Sequence, residues 1–118
     1  MKYRESEEMY LETILLLKNK LEIIRSIDIA NELNYSRASV CRAVNLLKER
    51  GYILMEQGII SFTECGLKKA NEIYERHEII TKVLEKIGVP LSEAEDNACR
   101  IEHVITPELL EYFKKFIK

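Results

Sequence analysis

Proline and glycine are scarce in this chain, two and four among 118 residues, which removes the turn chemistry that a domain of many short strands needs. No run of 18 or more apolar residues occurs, so no segment reads as a membrane-spanning helix. The first residues are charged, and a signal peptide is not expected. Three cysteines, an odd number in a chain of helical pattern, argue against a disulfide framework. Cys41 and Cys65 are expected as small buried residues. What is plentiful is apolar: 47% of the residues are hydrophobic, enough for one core or for two small lobes sharing a long element. They recur at helical rather than alternating spacing, so the expectation is a mainly α, cytoplasmic protein.

The net charge of −2 hides an uneven distribution. Residues 71–118 carry −3, whereas residues 34–51 hold Arg37, Arg42, Lys48 and Arg50 against Glu49 alone. A basic patch beside an acidic half suits a nucleic-acid surface next to a cation site, although a solvated helix face also explains any one basic cluster.

The apolar spacing predicts a first helix from about Glu5 to Lys20, with Tyr10, Ile14, Leu17 and Leu21 inward. A second helix is expected from Ser26, as N-cap, to Asn34, with Ile29, Ala30 and Leu33 as its stripe. After the turn Asn34-Tyr35, Ser36 caps a third helix running through Arg50, with Val40, Val44 and Leu47 inward and Gly51 ending it. Two helices joined this tightly make a helix-turn-helix. The β-prone runs 52–55 and 59–62 flank Glu56-Gln57-Gly58 and read as a hairpin, which completes a winged helix. Thr63 should cap a long fourth helix ending at Gly88, with Ile73, His77, Ile80, Leu84 and Ile87 on one stripe. A histidine so placed is either a hydrogen-bonded core residue or a ligand. Val89-Pro90 breaks the chain, Ser92-x-x-Glu95 has the form of a capping box, and a fifth helix is expected to about Ile105. Thr106-Pro107 opens a sixth, whose Leu109, Leu110, Phe113, Phe116 and Ile117 suggest either a dimer interface or intrachain core.

Chemistry concentrates in Cys99-Arg100-Ile101-Glu102-His103. On a helix, positions 99, 102 and 103 are i, i+3 and i+4, so a thiolate, a carboxylate and an imidazole converge on one face. Sulfur, nitrogen and oxygen donors together suit Fe(II), Co(II), Ni(II) or Zn(II) better than Mg(II) or Ca(II). The competing reading is a buried Cys, an exposed Glu and a His that caps an apolar face.

Glu8-Met9-Tyr10-Leu11-Glu12-Thr13-Ile14, the helix-turn-helix from Asp28-Ile29-Ala30 through Gly51, the wing, Arg76-His77 and the run from Ala98 to Val104 stand in one order along nearly the whole chain. In that order they resemble the diphtheria toxin repressor family of metal-dependent transcriptional regulators. The resemblance implies a homodimer with a winged-helix DNA-binding domain, here residues 1–70, and a helical metal-binding and dimerisation domain, here residues 71–118. It further implies binding to double-stranded operator DNA when loaded with Fe(II) or Mn(II), as a short form that stops before the SH3-like domain of larger members. Met9, Cys99, Glu102 and His103 match the primary site of the iron-responsive branch. Glu12 matches a ligand of the manganese branch, His77 a ligand in both, and Glu95 an ancillary ligand of the iron branch. Thr81, however, stands where that ancillary site has a Glu. The softer donors Met9 and Cys99 favour Fe(II), with Mn(II) as the second choice.

On this reading, Met9 and Glu12 belong to the helix that opens the DNA-binding lobe, and a metal joining them to the other ligands fixes the angle between lobes. Two recognition helices of a dimer are then held roughly 34–36 Å apart, the spacing of successive major grooves. Ser36, Ala38, Ser39 and Arg42 are placed to face bases or phosphates, with Arg42 suited to guanine and Ala38 to a thymine methyl. Arg37, Lys48 and Arg50 are assigned to phosphate or water. A metal-independent thiol sensor using Cys99 is the alternative. A metal-dependent hydrolase is disfavoured, since no nucleophile motif, Gly-rich phosphate loop or spare acid–base pair accompanies the ligands.

Overall fold

The computed structural model describes residues 2–118, with side chains from residue 7 onward. It is mainly helical, in the order α1 (Lys2–Lys18), α2 (Ser26–Leu33), α3 (Arg37–Glu49), β1 (Ile53–Glu56), β2 (Ile59–Phe62), α4 (Glu64–Lys86), α5 (Leu91–Ile101) and α6 (Pro107–Phe116). The chain divides into two compact units, the first ending at Asn71 and the second being Glu72–Lys118. None of the helices among the described residues is long and apolar enough to cross a membrane.

In the first unit, α1 packs on α2 and α3, and Leu11, Ile14, Ile29, Val40, Val44 and Leu47 are almost wholly buried. These residues lie at helical spacing on their own elements, so one apolar stripe from each helix builds the core. Asn34 ends α2 in the left-handed conformation, with φ 56°, where a short polar side chain is tolerated better than a branched one. Ser36 caps α3, its Oγ accepting from Ser39 N at 3.1 Å. The wing is an antiparallel pair with Glu56 opposite Ile59. Its two-residue turn, Gln57 at φ 51° and Gly58 at φ 78°, has the doubly left-handed form that matches strand twist. Arg25 Nη1 donates to the Gln57 carbonyl at 3.0 Å and so props the wing tip. Ile60 N also donates to Ile24 O at 2.8 Å, which ties β2 to the segment before α2.

The second unit packs α4, α5 and α6 around Ile80, Ala98 and Ile105, with Leu84, Ile101, Leu110 and Phe113 partly buried against them. Thr106 caps α6, its Oγ1 accepting from Leu109 N at 3.2 Å, and Pro107 takes the first helical position. There its missing N–H costs no hydrogen bond.

Several boundaries differ from the sequence pattern. α1 ends at Lys18 because Lys20 N and Leu21 N both turn back to the Leu17 carbonyl, so Leu21 leaves the inward face and is exposed. Ile87 is exposed for the same reason: it follows the end of α4, in the turn to Gly88. Arg25 rather than Ser26 is the N-cap of α2, and Asp28 Oδ2 accepts from Arg25 N at 2.8 Å. The Ser92 capping box does not form, since Pro90 is the cap and Ser92 already lies inside α5. Cys41 and Cys65, expected buried, are exposed. Cys41 falls on the outer side of α3 once Val40, Val44 and Leu47 take the inner one, and Cys65 occupies the exposed first turn of α4.

Candidate functional site

In the second unit the chemistry gathers on Glu102. α5 ends at Ile101, four residues short of the expected boundary, and Glu102 is its C-cap. Its φ −57° and ψ −26° remain right-handed helical, and its N–H donates to Ala98 O at 2.9 Å, so the side chain keeps the direction that helical spacing gives it. His103 lies in the turn that follows. The Glu102 side chain is wholly buried between two imidazoles, His77 Nδ1 at 3.4 Å from Oε2 and His103 Nε2 at 3.5 Å from Oε1. Neither carboxylate oxygen has a hydrogen-bond partner among the described residues.

The backbone around that group is held firmly. Arg76 Nη1 donates to the Glu102 carbonyl at 2.8 Å, and the His77 ring stacks on Tyr74 with centroids 6.2 Å apart and planes 17° from parallel. Buried Thr81 donates its hydroxyl to the His77 carbonyl at 2.8 Å. That hydroxyl secures the α4 turn carrying His77. Cys99, in the last turn of α5, is exposed. Glu95, one helical turn earlier, is also exposed.

In the first unit, α1 carries half-buried Met9 and buried Glu12, three residues apart and hence on one side of the helix. Tyr35 Oη donates to Met9 Sδ at 3.7 Å, and Thr13 Oγ1 donates to the Met9 carbonyl at 2.8 Å. Burial pushes the Tyr10 phenol above its usual pKa; the neighbouring Tyr35 adds to this and Arg42 opposes it.

On α3, Arg37, Ala38 and Arg42 are exposed and Ser39 is half-buried. The Ser39 hydroxyl accepts from Ser36 Oγ at 3.0 Å and from Arg42 Nη2 at 3.4 Å, which draws the Arg42 guanidinium toward the start of the helix. Lys48 and Arg50 are exposed at the other end, where Arg50 Nη1 pairs with Glu7 Oε2 at 3.0 Å. Cys41 and Asn45 share the exposed face, with Asn45 Nδ2 3.9 Å from Cys41 Sγ. The sequence pattern puts Cys41 in the core and leaves Asn45 unassigned, although Ala38, Arg42 and Asn45 stand at i, i+4 and i+7 opposite the apolar stripe.

Comparison with known proteins resolves what this arrangement belongs to. The family model described as iron dependent repressor, N-terminal DNA binding domain, matches residues 2–58. Its companion, iron dependent repressor, metal binding and dimerisation domain, matches residues 63–118. The chain belongs to the iron-dependent repressor family. An uncharacterized HTH-type transcriptional regulator of Methanocaldococcus jannaschii is 33% identical, over 97% of this chain and 94% of that protein. The transcriptional regulator MntR of Escherichia coli is 32% identical, over 96% of this chain and 74% of that protein. The solved structure of the manganese regulator SloR superposes with a TM-score of 0.82 at 26% identity, covering 94% of this chain but 53% of SloR.

A family defined by metal-dependent repression implies a bound cation, and the second unit fits one. A carboxylate taken wholly out of water with no hydrogen-bond donor is costly by itself. Imidazole nitrogens beside carboxylate oxygens form a donor set suited to a divalent transition metal. Stacking on Tyr74 orients the His77 ring, as the supporting residues around metal ligands commonly do.

Proposed function

We propose that this protein is a metal-activated transcriptional repressor that binds operator DNA as a homodimer, with Fe(II) as its preferred activator and Mn(II) as the second choice. The observation that carries this reading is the wholly buried Glu102 carboxylate, without a hydrogen-bond partner among the described residues, between His77 and His103. The proposed ligands of the second unit are Cys99, Glu102, His103 and His77, and those of the first are Met9 and Glu12. A divalent cation supplies the positive charge that a buried carboxylate lacks. Glu102 contributes the negative charge, the two imidazoles contribute neutral nitrogen donors, and Met9 and Cys99 contribute sulfur, which favours Fe(II) over Mn(II).

DNA recognition is assigned to α3. Ala38 and Arg42 at its exposed pole are placed for base edges, with Arg42 matched to guanine. Ser36 and Ser39 at the helix N-terminus, with Arg37, Lys48 and Arg50, are placed for phosphate. Binding metal and DNA to the same conformation makes each ligand strengthen the other. Exposed Leu109, Tyr112 and Phe116 follow one another along α6 and are assigned to contact with a second copy.

The test is selection of duplexes from a random-sequence pool by the anaerobic protein, with Fe(II), with Mn(II) and with a chelator. Recovery of a palindromic consensus only with metal supports the reading. Loss of binding on thiol oxidation, with no response to the chelator, would replace it with the Cys99 redox sensor.

A further inference from the structure

We propose that Tyr35, in the turn of the helix-turn-helix, is a positioning residue for Met9, its hydroxyl holding the thioether sulfur ready to donate to the metal. This rests on the metal-activated reading above, in which Met9 is a ligand. Three contacts fix the residue, two of them through the phenol. Its backbone N–H donates to Ala30 O at 3.1 Å, its ring meets Tyr10 edge-on with centroids 6.3 Å apart at 66°, and its hydroxyl reaches Met9 Sδ at 3.7 Å. Tyr35 therefore rests on two consecutive residues of α1, one through its ring and one through its oxygen.

A thioether sulfur carries two lone pairs, so accepting from a phenol leaves one for a cation. Methionine is also unbranched and loses much rotamer freedom when its sulfur is fixed. A hydroxyl that orients the sulfur beforehand removes part of that loss from metal binding, as partners on the far nitrogen do for histidine ligands. The next residue, Ser36, caps the recognition helix through Ser39 N at 3.1 Å. The contact that orients a sulfur donor is thus one residue from the start of the DNA-reading helix.

The experiment uses the full chain under anaerobic conditions and measures Fe(II) and Mn(II) affinity by competition with a chelating dye, so DNA binding is not the readout. Wild type is compared with Tyr35→Phe, Met9→Leu and the double variant, and metal-free melting is recorded for each. Tyr35→Phe is expected to weaken Fe(II) binding roughly tenfold and Mn(II) binding less than about twofold, since Mn(II) draws little on thioether sulfur. Metal-free melting should not change, and Tyr35→Phe should have no further effect once Met9 is Leu. Equal weakening of both metals would mean a general structural effect and overturn the proposal. If Met9→Leu weakens Fe(II) binding while Tyr35→Phe does not, Tyr35 has no positioning role although the metal reading stands. If Met9→Leu leaves Fe(II) binding intact, Met9 is not a ligand and both assignments fall.

Discussion

Replacing Glu102 by Gln should move stability and function in opposite directions. The side chain is wholly buried and its oxygens have no hydrogen-bond partner among the described residues, so without metal the carboxyl group is held out of water with the His77 and His103 rings, 3.4 and 3.5 Å away, beside it. The amide is nearly the same size and keeps the Arg76 bond to the residue's carbonyl, while the desolvation cost that a carboxylate carries is removed. Exchanges that neutralise a poorly compensated buried charge gain about 1–3 kcal/mol. For a chain of this size each kcal/mol corresponds to roughly 3–6 °C, so metal-free E102Q should melt several degrees higher than wild type. With Fe(II) at a hundred times its Kd, wild type should gain about 2.7 kcal/mol from binding. A variant binding a hundredfold more weakly gains only about 0.4 kcal/mol at that concentration, so added metal should cut the variant's melting advantage by about 2.3 kcal/mol, offsetting most or all of it. Thermal melts of both proteins, with and without metal, read all four values. If E102Q melts below wild type without metal and still shows the full metal-induced rise, Glu102 is a structural acid partnered by its imidazoles and the ligand assignment fails.

Cys99→Ala or His103→Ala should raise the metal concentration for half-maximal DNA binding at least tenfold, about 1.4 kcal/mol of lost coupling; an unchanged titration removes that residue from the site. Arg42→Ala should relax base preference at one position per half-site, whereas Lys48→Ala should weaken all sequences alike and reduce the salt slope by about 0.9, both readable from binding to single-base variants at several salt concentrations. Gly66→Ala should lower stability by about 3 kcal/mol, because a Cβ there would overlap the Tyr52 carbonyl that closes the wing against Thr63; a wild-type denaturation midpoint would show that the backbone yields. Met9→Asp with Cys99→Glu should shift the ratio of half-activating concentrations toward Mn(II), since carboxylates replace both sulfur donors; a ratio that stays put would place selectivity in the shape of the site.

The helix-turn-helix was legible because each of its signals is local. Asn34 supplies a left-handed turn, the Ser36 hydroxyl meets an N–H three residues on, and the apolar stripe of α3 repeats at helical spacing. The same local rules misplaced the cysteines, since hydrophobic character does not say which side of a helix a small residue takes until its neighbours have taken theirs. They also misplaced the opening of α5: Ser92-x-x-Glu95 satisfies the capping pattern, yet Pro90 already has an extended ψ of 148° and its carbonyl accepts from Ala94 N at 2.8 Å. The capping role is thereby filled two residues before the pattern begins.

The candidate site was legible in part, and for a reason narrower than the spacing rule suggests. An i, i+3, i+4 set converges only while the backbone stays helical, and α5 stops at Ile101, before two of the three residues. Glu102 remains aligned because its φ and ψ stay right-handed and its N–H still closes on Ala98 O. Had the chain turned left-handed there, as it does at Asn34 after α2, the carboxylate would leave the face that Cys99 occupies. Nothing local in the sequence distinguishes these two endings as clearly as the glycine after α3 marks its own. What selects the right-handed ending is tertiary: the Arg76 guanidinium on α4 takes the Glu102 carbonyl at 2.8 Å, using an acceptor that the end of a helix leaves open. Arg76 and His77 are consecutive, so the residue that fixes the Glu102 backbone is chain neighbour to the imidazole 3.4 Å from its carboxylate. The pair Arg76-His77 therefore acts on Glu102 twice, once through the main chain and once through the side chain, and a change that displaced α4 would disturb both contacts together.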